Sequence, residues 1–220
     1  MVAMTCALTL AVPPLAHARV GLVPGTKLYF AGGGSCSLGF FATNNDHDRL
    51  AVTAGHCADG VDQKVSTADR EIIGEVVYLM PDDLPSGLFG VAVIQLYKNA
   101  YISDHYFTTY GNPTKGDFVE KFGARTQKTQ GSITMISTDA DYPRMSRMES
   151  TLVGIEGDSG SAWVGTGNDG GPKLLGLNIG YTERRDGGYG YAIGFPINSL
   201  IKLVRTKSKI WGPGFIPTGP

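Results

Sequence analysis

The chain has 220 residues, 42% of them hydrophobic and 18% charged, with a formal net charge of −1. That length supports one large domain or two packed halves with a sizeable core. The near-neutral balance, with no long basic run, argues against a nucleic-acid surface and against electrostatic attachment to a membrane.

Residues 1–18 read as an export signal. Ala3 to Val12 is apolar, Pro13-Pro14 closes the run, and Ala16-His17-Ala18 offers a small-x-small cleavage site. No Lys or Arg precedes the apolar run, so an earlier start or a membrane tether are the alternatives. No other stretch approaches the roughly 18 apolar residues of a spanning helix, and stable membrane insertion is not expected. The expected location is secreted or extracellular, with the cell envelope as the second choice. Cleavage would remove Cys6 and leave Cys36 and Cys57, an even pair expected to oxidise to one disulfide outside the cell.

Arg19 to Gly34 carries turn signals at Pro24-Gly25 and Gly32-Gly33-Gly34. Ser35 to Ala42 reads as a strand, residues 43–49 as a polar loop, and Leu50 to Thr53 as the returning strand of a hairpin. Glu71 to Leu79 is a strand candidate rich in β-branched residues. Pro81 to Gly87 is a loop, and Val91 to Leu96 is a short continuous apolar run of the kind that forms a buried strand. Asn99 to Asn112 is a mixed connector. Further strands are predicted at Asp117–Phe122, Gly131–Ile136, Ser161–Val164, Lys173–Gly180 and Tyr189–Ile193. Asn198 to Thr206 alone has helical spacing, and the Gly/Pro-rich tail from Trp211 is expected to be loosely held. The 31 glycines and 12 prolines fit this list of short strands. The fold class expected is all-β, in barrels or sandwiches.

Two short runs carry chemistry. Gly157-Asp158-Ser159-Gly160 is a turn with little side-chain bulk, able to expose a serine hydroxyl and aim backbone N–H groups at an oxyanion. Thr53-Ala54-Gly55-His56-Cys57 ends an apolar run with a histidine suited to general-base work. His47, between Asp46 and Asp48, reads as solvated, with a calcium site as the alternative. His105 beside Asp104 reads as a surface pair. Tyr181, Tyr189 and Tyr191 read as strand packing, and Arg184-Arg185 as a loop tip.

Together and in this order, the two runs resemble the chymotrypsin-like, or trypsin-like, serine proteases, and most nearly the bacterial streptogrisin branch. Cys36-Ser37-Leu38-Gly39-Phe40 followed by His56-Cys57 resembles that branch's first-barrel hairpin and disulfide. Gly123 to Ile136, with Thr126, Thr129 and Gly131-Ser132-Ile133-Thr134, resembles the opening of its second barrel. The likeness runs from Cys36 to Ile197. It implies two antiparallel six-stranded β-barrels with a short C-terminal helix, within a protease domain of residues 19–210. The first barrel would span about 19–105 and the second about 117–200, before a tail of residues 211–220.

The resemblance implies Ser159 as nucleophile, His56 as general base, and the N–H groups of Gly157 and Ser159 as the oxyanion hole. Asp158 would hold the loop through a buried ion pair with Lys121 or Arg125. Asn178-Ile179-Gly180 would pair with an extended substrate. Val153 would floor the specificity pocket with Asn178 and Gly180, favouring an apolar or small substrate side chain over Lys or Arg. The expected activity is that of a secreted serine endopeptidase, monomeric, acting on a polypeptide substrate or bound by an inhibitor, with no metal or cofactor.

Two positions depart from the family pattern. Ser161 replaces a common second glycine after the nucleophile. The aspartate that orients the histidine would fall on Phe89 or Gly90, and neither can do so. Three readings follow: Asp82, Asp83 or Asp104 substitutes; His56 and Ser159 act as a weakened dyad; or the chain is a protease-like binding protein.

Overall fold

The computed structural model describes residues 19–219, so the export signal and Cys6 lie outside the described residues. The first half contains β1 (Val20–Leu22), β2 (Lys27–Phe30), β3 (Ser35–Ser37), β4 (Phe40–Thr43), β5 (Leu50–Ala54), β6 (Lys64–Ser66), β7 (Ile72–Met80), β8 (Val91–Leu96) and β9 (Ala100–Ile102). The second contains β10 (Thr109–Tyr110), β11 (Phe118–Gly123), β12 (Gln127–Ser137), β13 (Arg147–Ser150), β14 (Ala162–Thr166), β15 (Pro172–Glu183) and β16 (Tyr189–Pro196). The helix α1 (Ile197–Lys207) and β17 (Ile216–Pro217) complete the chain.

The second half is a closed barrel. Its strands run β15-β14-β11-β12-β13-β16, and β16 pairs back onto β15, leaving β10 as a short parallel appendage. Closure removes the sheet edges that would otherwise invite pairing with other chains. Val119, Ile133, Met148, Leu152, Trp163, Leu175 and Ala192 fill it. The first half is a curled eight-stranded sheet, β17-β4-β5-β8-β7-β6-β2-β3. All five residues of β5 and five of the six in β8 are buried, which is why both read as continuous apolar runs. The all-β expectation therefore holds, with hydrogen bonds closing the second barrel and the first strongly curled.

The C-terminal tail is not loose. Phe215 is fully buried, Arg205 Nε donates to its carbonyl, and Ile216–Pro217 pairs with β4. Burying one such aromatic contributes about 2–3 kcal/mol. That is enough to fix a Gly/Pro-rich segment whose composition alone suggests mobility. α1 turns Ile197, Leu200, Ile201, Leu203 and Val204 into the core that joins the two halves.

Candidate active site

Both motifs sit where the halves meet. β5 ends in one short 3₁₀ turn, Gly55–Cys57, that carries His56. The segment Ser159–Gly160 lies between β3 and β15: Ser37 N donates to Ser159 O at 2.8 Å, and Gly160 N donates to Asn178 O at 2.7 Å. The Cys36–Cys57 disulfide forms as expected and ties β3 to the histidine turn. A ring nitrogen of His56 lies within 4.8 Å of both sulfurs, and Cys57 Sγ lies 4.0 Å from Ser159 O. Cys36, His56 and Cys57 thus bring three potentially metal-ligating atoms together. With both sulfurs oxidised they offer no thiolate.

The structure answers the question of the carboxylate. Asp82 Oδ2 lies 2.6 Å from His56 Nδ1, and His56's own backbone N–H donates to the same oxygen at 2.9 Å. Gly90 N donates to Asp82 Oδ1. The Asp82 side chain is 1% exposed, against 31% for the ring. Asp83 and Asp104, both exposed, cap their own turns, accepting from Ser86 N and Tyr106 N.

Register explains the placement. β7 and β8 pair Met80 with Val91, and the ladder resumes at Asp83–Leu88. Continuing that register sets Pro81 opposite Gly90 and Asp82 opposite Phe89, so the Asp82 side chain reaches the N–H of Gly90 diagonally. Gly90 is obligatory, because a Cβ there would run into the Met80 carbonyl. Arg144, from the second half, clamps both ends of this hairpin: its Nε donates to Phe89 O at 2.9 Å and its Nη2 to Pro81 O at 2.6 Å. Nothing in the sequence singled out Arg144. The signal for Asp82 was the strand pairing itself, which places Pro81-Asp82, just past the end of β7, against Phe89-Gly90.

The serine turn is held from beneath. Asp158 and Lys121 are both fully buried and paired at 3.0 Å. Asp158 also accepts from Thr126 Oγ1 at 2.7 Å and from the backbone N–H groups of Arg125, Thr126 and Ile155. Burial alone would raise its carboxyl, but the Thr126 bonds and the Lys121 charge hold it below the usual range. Lys121 is thus the ionic partner. The Arg125 guanidinium instead donates to Glu156 O at 3.2 Å. In a planar trans peptide that orientation turns Gly157 N–H the opposite way. Gly157 has φ +92°, a conformation glycine adopts freely. Among the described residues, neither Gly157 N–H nor Ser159 N–H has an acceptor.

Asn178 is fully buried, and its Oδ1 accepts from Trp163 Nε1 at 3.2 Å. Val153 is 43% exposed, and Gly180 faces open space. Tyr189 stacks on Tyr181, accepts from Gly154 N and donates to Leu152 O, bracing the segment that carries Val153.

No family model matches the sequence. Over 170 residues the chain is 30% identical to serine protease 2 of Streptomyces fradiae, covering 71% of this chain and 92% of that protein. The chain belongs to the chymotrypsin-like serine proteases. Solved structures agree on the fold of this protease. Thermobifida fusca protease A matches with a TM-score of 0.65 at 19% identity, over 91% of this chain and 100% of that one. The Nocardiopsis protease gives 0.64 at 19% identity, over 83% and 96%. A glutamic acid-specific serine protease gives 0.63 at 21% identity, over 82% and 96%.

Proposed function

We propose that this serine endopeptidase is exported and cleaves polypeptides through an acyl-enzyme on Ser159, with His56 as general base and Asp82 as the carboxylate that orients it. The 2.6 Å approach of Asp82 to His56 Nδ1 carries this reading. A carboxylate there keeps the proton on Nδ1, so Nε2 is free to accept the Ser159 proton as Oγ attacks the carbonyl carbon. The imidazolium then returns that proton to the departing amine. The negative oxygen formed on attack would sit between Gly157 N–H and Ser159 N–H. Water repeats the sequence to release the acid. Among the described residues the ring's side-chain hydrogen bond is to Asp82, which leaves Nε2 and Oγ free to meet when substrate arrives.

The substrate backbone runs along Asn178–Gly180, and the side chain before the scissile bond meets Val153. An apolar or small residue suits that floor, and no carboxylate there recruits Lys or Arg. Incubation with a fluorophosphonate probe tests the reading: wild type labels covalently and Ser159→Ala does not. Absence of labelling in folded wild-type protein would sink it.

A further inference from the structure

Ser159–Gly160 is gripped between β3 and β15. With the acyl half of the substrate along Asn178–Gly180, the leaving-group half must pass over β3. On that side an open cavity of roughly 640 Å³ is lined by Lys27, Tyr29, Ser35, Arg125, Glu156 and Gly157, among others. Gly157 belongs to the proposed oxyanion hole, so the cavity opens beside the reaction centre.

Its charges are unspent. β2 and β3 pair Lys27 with Ser37 and Tyr29 with Ser35, which places Lys27 and Tyr29 together on the exposed face. Lys27 Nζ sits 5.0 Å from the centre of the Tyr29 ring. Arg125 uses one nitrogen on Glu156 O and keeps other donors of its fork free. Among the described residues, neither cation has a carboxylate partner, and neither does Glu156 have a cation. The three leave one net positive charge on the wall. Both cations are already positioned, by a ring and by a backbone carbonyl, so less side-chain freedom is lost when an anion arrives.

We propose that this cavity is a carboxylate-binding subsite for the leaving-group side of the substrate. The proposal rests on the protease reading above. The carboxylate has two sources, an Asp or Glu side chain soon after the scissile bond, or the terminal carboxylate of a short leaving fragment.

The test uses internally quenched peptides randomised over the three positions before the scissile bond. They carry Glu or Gln at the first two positions after it, each as free acid and as amide. Wild type at low salt should prefer the carboxylate-bearing member by about 3- to 10-fold in kcat/KM, as two exposed charge contacts allow. The ratio should fall towards one near about 1 M salt, where screening is nearly complete. Lys27→Gln should cut the ratio, and Glu156→Gln should raise it. Dependence on Glu alone assigns an internal acidic residue, and dependence on the free acid alone assigns the chain terminus. Equal rates for all four peptides at low salt overturn the subsite and leave the protease reading standing. If no peptide is cleaved, the same four are titrated against Ser159→Ala by calorimetry. A carboxylate-dependent Kd supports the subsite, equal Kd values or no binding overturn it, and fluorophosphonate labelling decides the chemistry separately.

Discussion

Replacing Asp82 by Asn removes the charge that faces His56 with almost no change of shape. The carboxylate accepts three donors: His56 Nδ1 and His56 N on one oxygen, and Gly90 N on the other. An asparagine has one oxygen. If that oxygen stays on Gly90, the amide NH₂ faces the ring and forces the tautomer with the proton on Nε2, which cannot accept from Ser159. If it turns to the ring, Gly90 N–H meets another donor, a buried mismatch costing about 1–3 kcal/mol. Either way the imidazolium loses its counter-charge. Such a change in a serine-histidine-aspartate triad costs about four orders of magnitude, roughly 5.5 kcal/mol of barrier. The His56 side chain is 31% exposed, and solvent screens part of the interaction. The expected loss for Asp82→Asn is therefore about 10³- to 10⁴-fold in the acylation rate. Stopped-flow acylation by a p-nitrophenyl ester, with circular dichroism to show retained fold, makes the measurement. Activity within about tenfold of wild type, or a larger loss from Asp83→Asn or Asp104→Asn, would refute the assignment. Adding Gly90→Asp to the Asp82→Asn background should not rescue, since a Cβ at residue 90 meets the Met80 carbonyl.

Arg144→Ala should lower kcat about tenfold or more with little change in KM, because Arg144 holds the hairpin that presents Asp82 and lies in the other half of the molecule. Arg144→Lys should restore little, since one ammonium cannot span both carbonyls in the same geometry. Asp158→Asn leaves Lys121 buried without its counter-charge and should destabilise the fold by about 3–5 kcal/mol in urea titration. In wild type the Asp158 carboxyl is held below its ordinary value, so its contribution is complete above about pH 4 and is lost as pH falls through the lowered value. The acid limb of the stability curve should flatten in Asp158→Asn. Reducing Cys36–Cys57, which are 21 residues apart, should cost about 3 kcal/mol from loop closure alone. Mass spectrometry finding two free thiols in exported protein would contradict that oxidised state.

The sequence carried the fold where elements are long or strongly apolar. β5, β8 and α1 emerged with nearly their observed limits, because burial imposes its own pattern on the residues, whereas β15 runs on past its apolar stretch to Glu183. β1, β2, β6, β9, β10 and β13 did not. Each is two to four residues long, too short for alternation to rise above chance, and each exists because a neighbour's edge is present. The tail failed for the same reason: Phe215 has a pocket only after β4 and α1 have formed.

The proposed site divides along the same line. Gly157, Asp158 and Ser159 lie within one turn, so a local motif could reveal them, and His56 sits inside another. The carboxylate has no such constraint. What His56 requires is a negative charge at one point behind its ring, and two antiparallel strands, β7 and β8, both reach that point. In the family pattern the carboxylate stands just before β8, where this chain has Gly90; here it comes from just beyond the end of β7, at Asp82. The Met80–Val91 register makes these places neighbours in space and strangers in sequence. Moving the acid onto the β7 side requires glycine at residue 90, since its backbone must pass close to Met80 and its N–H must reach Asp82. The glycine that breaks the family pattern is therefore the residue that admits Asp82 beside His56. The same logic predicts that chains with glycine just before this strand and an active serine turn carry their carboxylate just past the end of the partner strand.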